Sequence, residues 1–183
     1  MPIPNVEYKI YNPNENGLGE IIVKGPNVMN KYFKDEEATK KAIVDGWFHT
    51  GDIGKIDEDG FLYITGRCKS VIVTKNGKNI YPEEIEYFLN ENKFISESLV
   101  YGVDTSADTQ VNAKLLPDIS AISEELNTEE PTDNQIEDII SNVVKDVNSR
   151  FPNYKHIKSF KILKDSLEKT TTQKIKRYGT NMK

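Results

Sequence analysis

Two short polar turns in the first half of the chain carry residue types that can hold a nucleotide. Thr50-Gly51-Asp52 places a carboxylate beside a glycine, which lets the backbone bend sharply. A carboxylate accepts hydrogen bonds, so the two hydroxyls of a ribose can donate to it together. Gly66-Arg67 ends a strand-like run, and arginine offers a planar fork of donors to phosphate or ribose oxygens. Taken singly, each turn also has an ordinary structural explanation.

A third turn lies at residues 75–79, with Gly77 at its centre. It is followed by Tyr81-Pro82 and two glutamates. Proline favours the first turn of a helix, and acidic residues suit its positive end. The spacing therefore predicts a turn, then a short strand that begins at Ile80, and then a helix.

Residues 170–174 form a second candidate site, with the sequence Thr-Thr-Thr-Gln-Lys. Hydroxyl groups can donate to a phosphate or carboxylate, and the lysine ammonium is a mobile positive charge. By composition alone, a threonine-rich basic tail is typical of flexible surface. The choice between the two depends on the rest of the chain.

The stretch from residue 46 to 86 closely resembles the C-terminal half of the AMP-forming acyl-CoA synthetases, members of the adenylate-forming superfamily. Thr-Gly-Asp, Gly-Arg and a turn before an acidic helix occur here in that family's order. Residues 170–174 resemble the superfamily's C-terminal lysine motif. They depart from it at Gln173, where many members have glycine.

The resemblance implies roles for individual residues. Ribose contacts would come from Thr-Gly-Asp and a further nucleotide contact from the arginine. The hinge between two domains would lie two positions after that arginine, and the glycine turn would face the thiol after rotation. The residues in these roles, with the catalytic lysine last, are Thr50, Asp52, Arg67, Lys69, Gly77 and Lys174.

The resemblance also implies a reaction in two steps. A carboxylate attacks the α-phosphate of ATP, which gives an acyl-adenylate and pyrophosphate, and the thiol of CoA then takes the acyl group. Mg²⁺ and Lys174 would offset the charge between the two anions. The expected substrate is a long-chain fatty acid. Two alternatives stay open, which are transfer to an acyl carrier protein and a nucleotide-binding module without catalysis.

Composition narrows the function classes. The 183 residues carry a net charge of −5, which argues against a general nucleic-acid-binding protein. The single cysteine, Cys68, excludes an internal disulfide, and no apolar run approaches the roughly 20 residues of a membrane span. The N-terminus lacks the pattern of a signal peptide. We therefore expect a cytoplasmic location. His49 and His156 are interpreted as structural, and no metal ligands are assigned.

Hydrophobic periodicity predicts an α+β fold with two parts. Residues 1–66 are expected to be the β-rich end of a large N-terminal domain, and 67–183 a small α+β domain with a short hairpin and a sheet covered by helices. Strands are predicted at 6–11, 21–23, 61–65, 70–74, 98–103, 110–116 and 157–163, helices at 35–43, from 82 and at 135–150, and a linker at 117–133.

Residues 1–66 contain too few strands to bury both faces of a sheet. The expected partner is therefore an N-terminal domain of the same protein. Without that domain, the chain is expected to be inactive and to expose apolar surface, which would favour a dimer.

Overall fold

The computed structural model describes residues 3–106 and 108–177 of the chain. The chain divides into two compact units, Met1–Lys69 (unit 1) and Ser70–Lys183 (unit 2). The division falls three residues after the boundary expected from the sequence. A 3₁₀ turn, Cys68–Ser70, spans it.

Unit 1 is an antiparallel sheet with one short helix. Its central strand β4 pairs with β2, β3 and β5, and β1 pairs with β2. The helix α1 begins after Asp35, whose side chain accepts a hydrogen bond from the Ala38 amide, as predicted. The elements of unit 1 are β1 (Glu7–Tyr11), β2 (Gly19–Lys24), α1 (Glu36–Ala42), β3 (Ile43–Val44), β4 (Trp47–Ile56) and β5 (Leu62–Arg67).

The core of unit 1 is small. Among its described apolar residues, Ile21, Ile22 and Ile53 are buried. Large apolar side chains are exposed, with Phe33 at 85% and Ile64 at 68%. An apolar face of a sheet normally packs against another layer. Unit 1 therefore presents the uncovered apolar surface that the sequence predicts.

In its described residues, unit 2 contains a ribbon of two strands, a three-stranded sheet and three α-helices. In the sheet, β9 lies between β8 and β10, antiparallel to the first and parallel to the second. The elements are β6 (Ile72–Val73), β7 (Asn79–Ile80), α2 (Pro82–Asn90), β8 (Ile95–Asp104), β9 (Thr109–Pro117), α3 (Ile119–Leu126), α4 (Asp133–Ser149) and β10 (Ile157–Ile162). This mixture confirms the predicted α+β class.

The two longer helices form where local signals predict them. Helix α2 has Pro82 in its first turn and buries Ile85 and Leu89 completely. Helix α4 begins with a capping box between Thr132 and Gln135, in which each side chain bonds the other's backbone amide. Its apolar stripe is buried at Ile136, Ile140, Val143, Val144 and Val147. Among the described residues, no helix has the length and apolar character needed to cross a bilayer.

The interpretation of residues 117–133 as mainly a linker is wrong, because helix α3 occupies eight of them. The Asp118 side chain caps this helix by accepting from the Ala121 amide at 3.1 Å. Ile122, on its inner face, is fully buried. The acidic composition of the segment concealed this short apolar face. Strand β6 is also shorter than predicted, since residues 68–70 form the 3₁₀ turn.

Candidate functional site

The two residues predicted to contact a nucleotide meet in unit 1. Asp52 on β4 and Arg67 on β5 are direct cross-strand partners, and Arg67 Nε lies 3.0 Å from Asp52 Oδ1. The arginine side chain is 63% exposed and the aspartate side chain 27%. Exposed ion pairs contribute little stability. Both side chains can therefore exchange this contact for a ligand at low cost.

The prediction of a turn at Thr50-Gly51-Asp52 is wrong, because these residues lie within strand β4, where its pairing with β2 shifts register. A side chain holds the backbone before Asp52. Thr50 Oγ1 donates to the Ile21 carbonyl at 2.7 Å and accepts from the Asp52 amide at 3.1 Å. Gly51 has a φ of +74°, a conformation that glycine adopts without strain. Thr50 and Gly51 together therefore set the direction of the Asp52 side chain, and the contact of Thr50 with a ribose stays a prediction.

Sequence reasoning missed Glu20, which lies on the neighbouring strand β2 and supports the backbone at Gly51. Its Oε1 accepts from the Gly51 amide at 3.0 Å, and its Oε2 lies 2.7 Å from His49 Nδ1. The Tyr11 ring packs edge-on against the His49 ring, with 5.1 Å between the two ring centroids. These contacts depend on the register between β2 and β4, which no local pattern shows. They agree with a structural role for His49.

Cys68 lies beside the predicted hinge and is partly buried. Burial raises the pKa of its thiol, and the nearby carboxylates of Glu20 and Asp52 raise it further. A raised pKa keeps the side chain as the unreactive thiol. The structural interpretation of Cys68 therefore has a physical basis.

Gly77 lies in the turn that joins β6 and β7. The Thr74 amide donates to the Lys78 carbonyl at 3.0 Å, and the Gly77 amide donates to the Thr74 carbonyl at 2.9 Å. Gly77 has a φ of +73°, and nothing lies within 4 Å of the position that a Cβ would occupy. The turn therefore leaves open space at its tip.

A second set of contacts ties this turn to the loop between β8 and β9. Lys75 Nζ donates to the carbonyls of Thr105 and Ser106 at 2.8 and 2.7 Å. The Lys75 amide donates to Asp108 Oδ1 at 2.9 Å and, with the Thr109 amide, holds the pKa of that carboxyl below its ordinary value. The Gly77 turn is thus anchored at the end of β8 that Asp104 occupies.

Lys174 lies at the end of a turn with the same hydrogen bonds. The Thr170 amide donates to the Lys174 carbonyl at 2.8 Å, and the Gln173 amide donates to the Thr170 carbonyl at 3.0 Å. Thr170 Oγ1 accepts from the Lys174 amide at 3.2 Å. Within residues 3–106 and 108–177, no acidic group lies within ion-pair distance of Lys174 Nζ, and the residue is exposed. The ammonium is therefore available to an anionic ligand.

Gln173 explains why glycine is favoured at this place in the motif. Its φ is +61°, in the left-handed region that side chains with a Cβ occupy at a cost. The departure from the motif is therefore accommodated in the same backbone conformation, with some strain.

The predicted residues fall into three groups. Thr50, Asp52 and Arg67 lie together in unit 1, and Lys69 is its last residue. Gly77 and Lys174 lie in separate turns of unit 2. The Gly77 turn contacts the loop after Asp104, whereas the segment that leads to Lys174 contacts Glu97, seven residues earlier on β8. At about 3.3 Å per residue, these anchor points are roughly 23 Å apart.

Each unit, taken by itself, offers polar and charged groups for an anionic ligand. Among the described residues, no group of three or more His, Cys, Asp or Glu side chains is placed to hold a metal ion.

Comparisons with known proteins give the relatives of this chain. The family profile described as "AMP-binding enzyme C-terminal domain" matches residues 69–182. A 2-succinylbenzoate–CoA ligase of Bacillus cytotoxicus is 44% identical over 107 residues, which are 58% of this chain and 22% of that protein. A long-chain-fatty-acid–CoA ligase of Mycobacterium tuberculosis is 37% identical over 174 residues, 87% of this chain and 28% of that protein.

Solved structures show the same fold. An o-succinylbenzoate CoA synthetase of Bacillus subtilis, in complex with its acyl-adenylate intermediate, superposes with a TM-score of 0.75 and 31% identity. The superposition covers 95% of this chain and 33% of that one. The same enzyme with ATP and a magnesium ion gives a TM-score of 0.73 at 30% identity, with the same coverage.

The chain spans between about a fifth and a third of the length of these relatives. The family profile covers more than half of the chain, and it includes the turn at Gly77 and the turn at Lys174. The chain therefore belongs to the AMP-binding enzyme C-terminal domain family and corresponds to the C-terminal portion of adenylate-forming CoA ligases.

Proposed function

We propose that this chain supplies the C-terminal part of an ATP-dependent ligase that activates a carboxylic acid as its acyl-adenylate and passes the acyl group to CoA. The observation that carries the proposal is the exposed Lys174 on an ordered turn, together with the Asp52–Arg67 pair on adjacent strands. A carboxylate acceptor, a guanidinium and an unpaired ammonium match the ribose and phosphate groups of ATP.

In the proposed reaction, Asp52 accepts hydrogen bonds from the ribose hydroxyls and Arg67 contacts the nucleotide. The contact between Arg67 Nε and Asp52 Oδ1 orients the carboxylate before the ligand arrives. Thr50 and Glu20 hold the backbone at Gly51 and Asp52. Binding then requires little reorganisation, and such preorganisation favours affinity.

Lys174 is the proposed catalytic lysine. When the acid attacks the α-phosphate of ATP, its oxygen bonds to phosphorus and pyrophosphate leaves. Two anions approach each other in this step, so a positive charge placed between them lowers the barrier. Mg²⁺ bound to the phosphates of ATP would neutralise further charge.

Lys69 is the proposed hinge between the two half-reactions. It lies in the 3₁₀ turn Cys68–Ser70, at the division between the two units. The Lys174 turn is anchored on β8 at Glu97 and Val100, whereas the Gly77 turn is anchored beyond Asp104, at the end of the same strand. A rotation at Lys69 would therefore exchange one turn for the other at the reaction centre, with the Gly77 turn presented to CoA.

We propose a long-chain fatty acid as the substrate. The Mycobacterium tuberculosis fatty-acid ligase aligns with 87% of this chain, against 58% for the succinylbenzoate ligase, although the second is more identical where it aligns. The acyl pocket itself would lie in the N-terminal domain of the full-length protein, which is the proposed partner of this chain.

The test is pyrophosphate release by the full-length protein with ATP, Mg²⁺ and a panel of acids that includes long-chain fatty acids and succinylbenzoate. Lys174→Ala should slow adenylate formation by roughly 10²–10³-fold, by analogy with the loss of one oxyanion donor. It should slow thioester formation from supplied acyl-adenylate much less. Lys158→Ala, which removes an exposed lysine of β10, is the control.

The outcomes distinguish the proposed ligase from the alternative functions. Equal loss in both half-reactions would reject the role of Lys174. Transfer to a carrier protein but not to free CoA would replace the proposed acceptor. Nucleotide binding without pyrophosphate release from any acid would favour a non-catalytic module. The 183-residue chain alone should release none.

A further inference from the structure

Lys174 lies in the segment of residues 167–177. A buried carboxylate of β8 fixes the N-terminal end of this segment. Glu97 is 8% exposed, and both of its oxygens bind this segment. Oε1 lies 2.6 Å from Lys169 Nζ, and Oε2 accepts from the Leu167 amide at 2.8 Å. Leu167 is itself buried. This end therefore has one defined position on the sheet.

The second end is fixed by a carboxylate of α2. Arg177 forms an ion pair with the buried Glu86 and donates to the Val100 carbonyl at 3.3 Å. It also lies 3.4 Å from Glu83 Oε1. Glu86 in turn accepts from the Val100 amide at 2.7 Å. Burial raises the pKa of Glu86, and the Arg177 guanidinium opposes this shift.

The chain between these two anchors is ordered by its own backbone. Lys169 and Ile175 form an antiparallel bridge, and the Lys176 amide donates to the Glu168 carbonyl at 2.9 Å. The turn of residues 170–174 closes this hairpin. Because this hairpin joins Lys169 to Arg177, fixing these two residues also fixes the position of Lys174.

The two ion pairs are expected to add little to the free energy of unfolding. Removing carboxylates from water costs free energy that a single pairing often only offsets, and apolar residues can serve as well. In some proteins, pairs of this kind are retained because they fix one geometry for the segments that they join. Their placement on both sides of Lys174 therefore has a positional explanation.

We propose that Glu86 and Glu97 are positioning residues, whose ion pairs with Arg177 and Lys169 hold the Lys174 turn in place before any ligand binds. The functional part of this inference rests on the proposed role of Lys174. The structural part does not, because all of the anchors lie within unit 2 and need no nucleotide. The competing arrangement is a tail that becomes ordered only when ATP binds.

The first experiment is amide hydrogen exchange on the 183-residue chain without ligand. The amides of Thr170, Gln173 and Lys176 should be protected. In the double variant Lys169→Gln with Arg177→Gln, they should exchange at least about tenfold faster, while amides of β8 and β9 keep their rates and report an intact fold.

The control is Lys93→Gln, which removes the exposed ion pair of Lys93 with Glu125, 2.7 Å apart in the same unit. It should leave the turn amides unchanged. Turn amides that are unprotected in the parent chain, or equally protected in the double variant, would overturn the proposal.

The second experiment measures the half-reactions of the full-length protein. Glu97→Gln keeps an acceptor for the Leu167 amide, and Glu86→Gln keeps one for the Val100 amide, so each removes mainly the ion pair. Each should lower kcat for adenylate formation at least about tenfold and leave the KM for ATP unchanged. Arg177→Lys should retain part of the rate that Arg177→Gln loses.

The two experiments fail in different ways. If adenylation is not the activity, the exchange result still decides whether the anchors order the turn. Faster exchange with an unchanged kcat in an active ligase would reject the positioning role. A rise in the KM for ATP with kcat unchanged would also reject it.

Discussion

Asp52 is the residue on which nucleotide affinity should depend most directly. Its carboxylate is held by an ion pair to Arg67 and by the backbone contacts of Thr50, and it is the only carboxylate of the Thr-Gly-Asp motif. Because both partners are partly or largely exposed, the pair itself contributes little to stability. A change at Asp52 should therefore be visible in ligand binding and not in folding.

Asp52→Ala in the full-length protein should weaken ATP binding by roughly 10- to 100-fold. Two ribose hydroxyls lose their acceptor, and hydrogen bonds to a charged group are worth about 1.5–3 kcal/mol. Calorimetric titration with ATP measures the change. Asp59→Ala, an exposed carboxylate in the β4–β5 turn, removes the same charge and should leave the affinity as it is. Equal dissociation constants for Asp52→Ala and the parent would reject the ribose assignment.

One turn design recurs four times in the described residues. In each turn, the amide of the first residue donates to the carbonyl of the fifth, and the amide of the fourth donates to the carbonyl of the first. The side-chain oxygen of the first residue accepts from the amide of the fifth. The fourth residue always has a positive φ. This is the three-residue hairpin loop with a left-handed third position. The turns begin at Asn14, Asp57, Thr74 and Thr170, and their fourth residues are Gly17, Gly60, Gly77 and Gln173.

Gln173→Gly should stabilise the lysine turn. The left-handed conformation costs a residue with a Cβ about 1–2 kcal/mol, and the greater freedom of glycine in the unfolded chain offsets roughly half of that. The amides of the turn should therefore exchange about two- to fivefold more slowly. Gly77→Ala is the matched control, since its Cβ meets no atom within 4 Å and only the φ of +73° opposes it. It should speed exchange in its own turn. Faster exchange in Gln173→Gly would contradict this account.

The 3₁₀ turn between the two units is the element on which the second half-reaction should depend. Lys69→Pro fixes φ at a position that must change it if the domain rotates. In the full-length protein it should leave adenylate formation largely intact and impair thioester formation. Lys69→Ala removes the same charge and keeps the freedom of φ, so it should retain both steps. Acyl-CoA formation by Lys69→Pro at the parent rate, from supplied acyl-adenylate, would place the hinge elsewhere.

At the scale of the whole molecule, the two units differ in how well they bury their apolar residues. Unit 2 encloses a continuous core between its sheet and helices, whereas unit 1 buries few apolar side chains among those described. Exposed apolar patches of this kind are typical of surfaces that meet a partner. In a full-length ligase, the remainder of the N-terminal domain would cover unit 1.

The isolated 183-residue chain should therefore self-associate through unit 1. Phe33→Ser with Ile64→Ser removes two of its most exposed apolar side chains and should shift the sedimentation profile toward the monomer. Tyr87→Ser is the control, because Tyr87 is 60% exposed but lies on α2 of unit 2. A parent chain that stays monomeric, or an equal shift from Tyr87→Ser, would show that unit 1 is not the contact.

The sequence by itself determined the features that arise from short-range forces. Helix caps at Asp35 and Thr132, Pro82 in the first turn of α2 and the glycine turn at Gly77 all follow from residues within about five positions of one another. The motif of Thr50, Asp52 and Arg67 was identified by its resemblance to a family, because these residues lie on strands β4 and β5 and local turn chemistry does not single them out.

Only the tertiary structure decided which distant side chains meet. Glu20 supports Gly51 across 31 positions, and Glu86 meets Arg177 across 91. Such pairs depend on strand register and on how the tail returns to the sheet, and chain separation leaves no local pattern for them. Helix α3 was missed for a different reason, since Asp118 caps it locally but its apolar face is short and lies in an acidic segment, and burial of Ile122 is visible only in the fold.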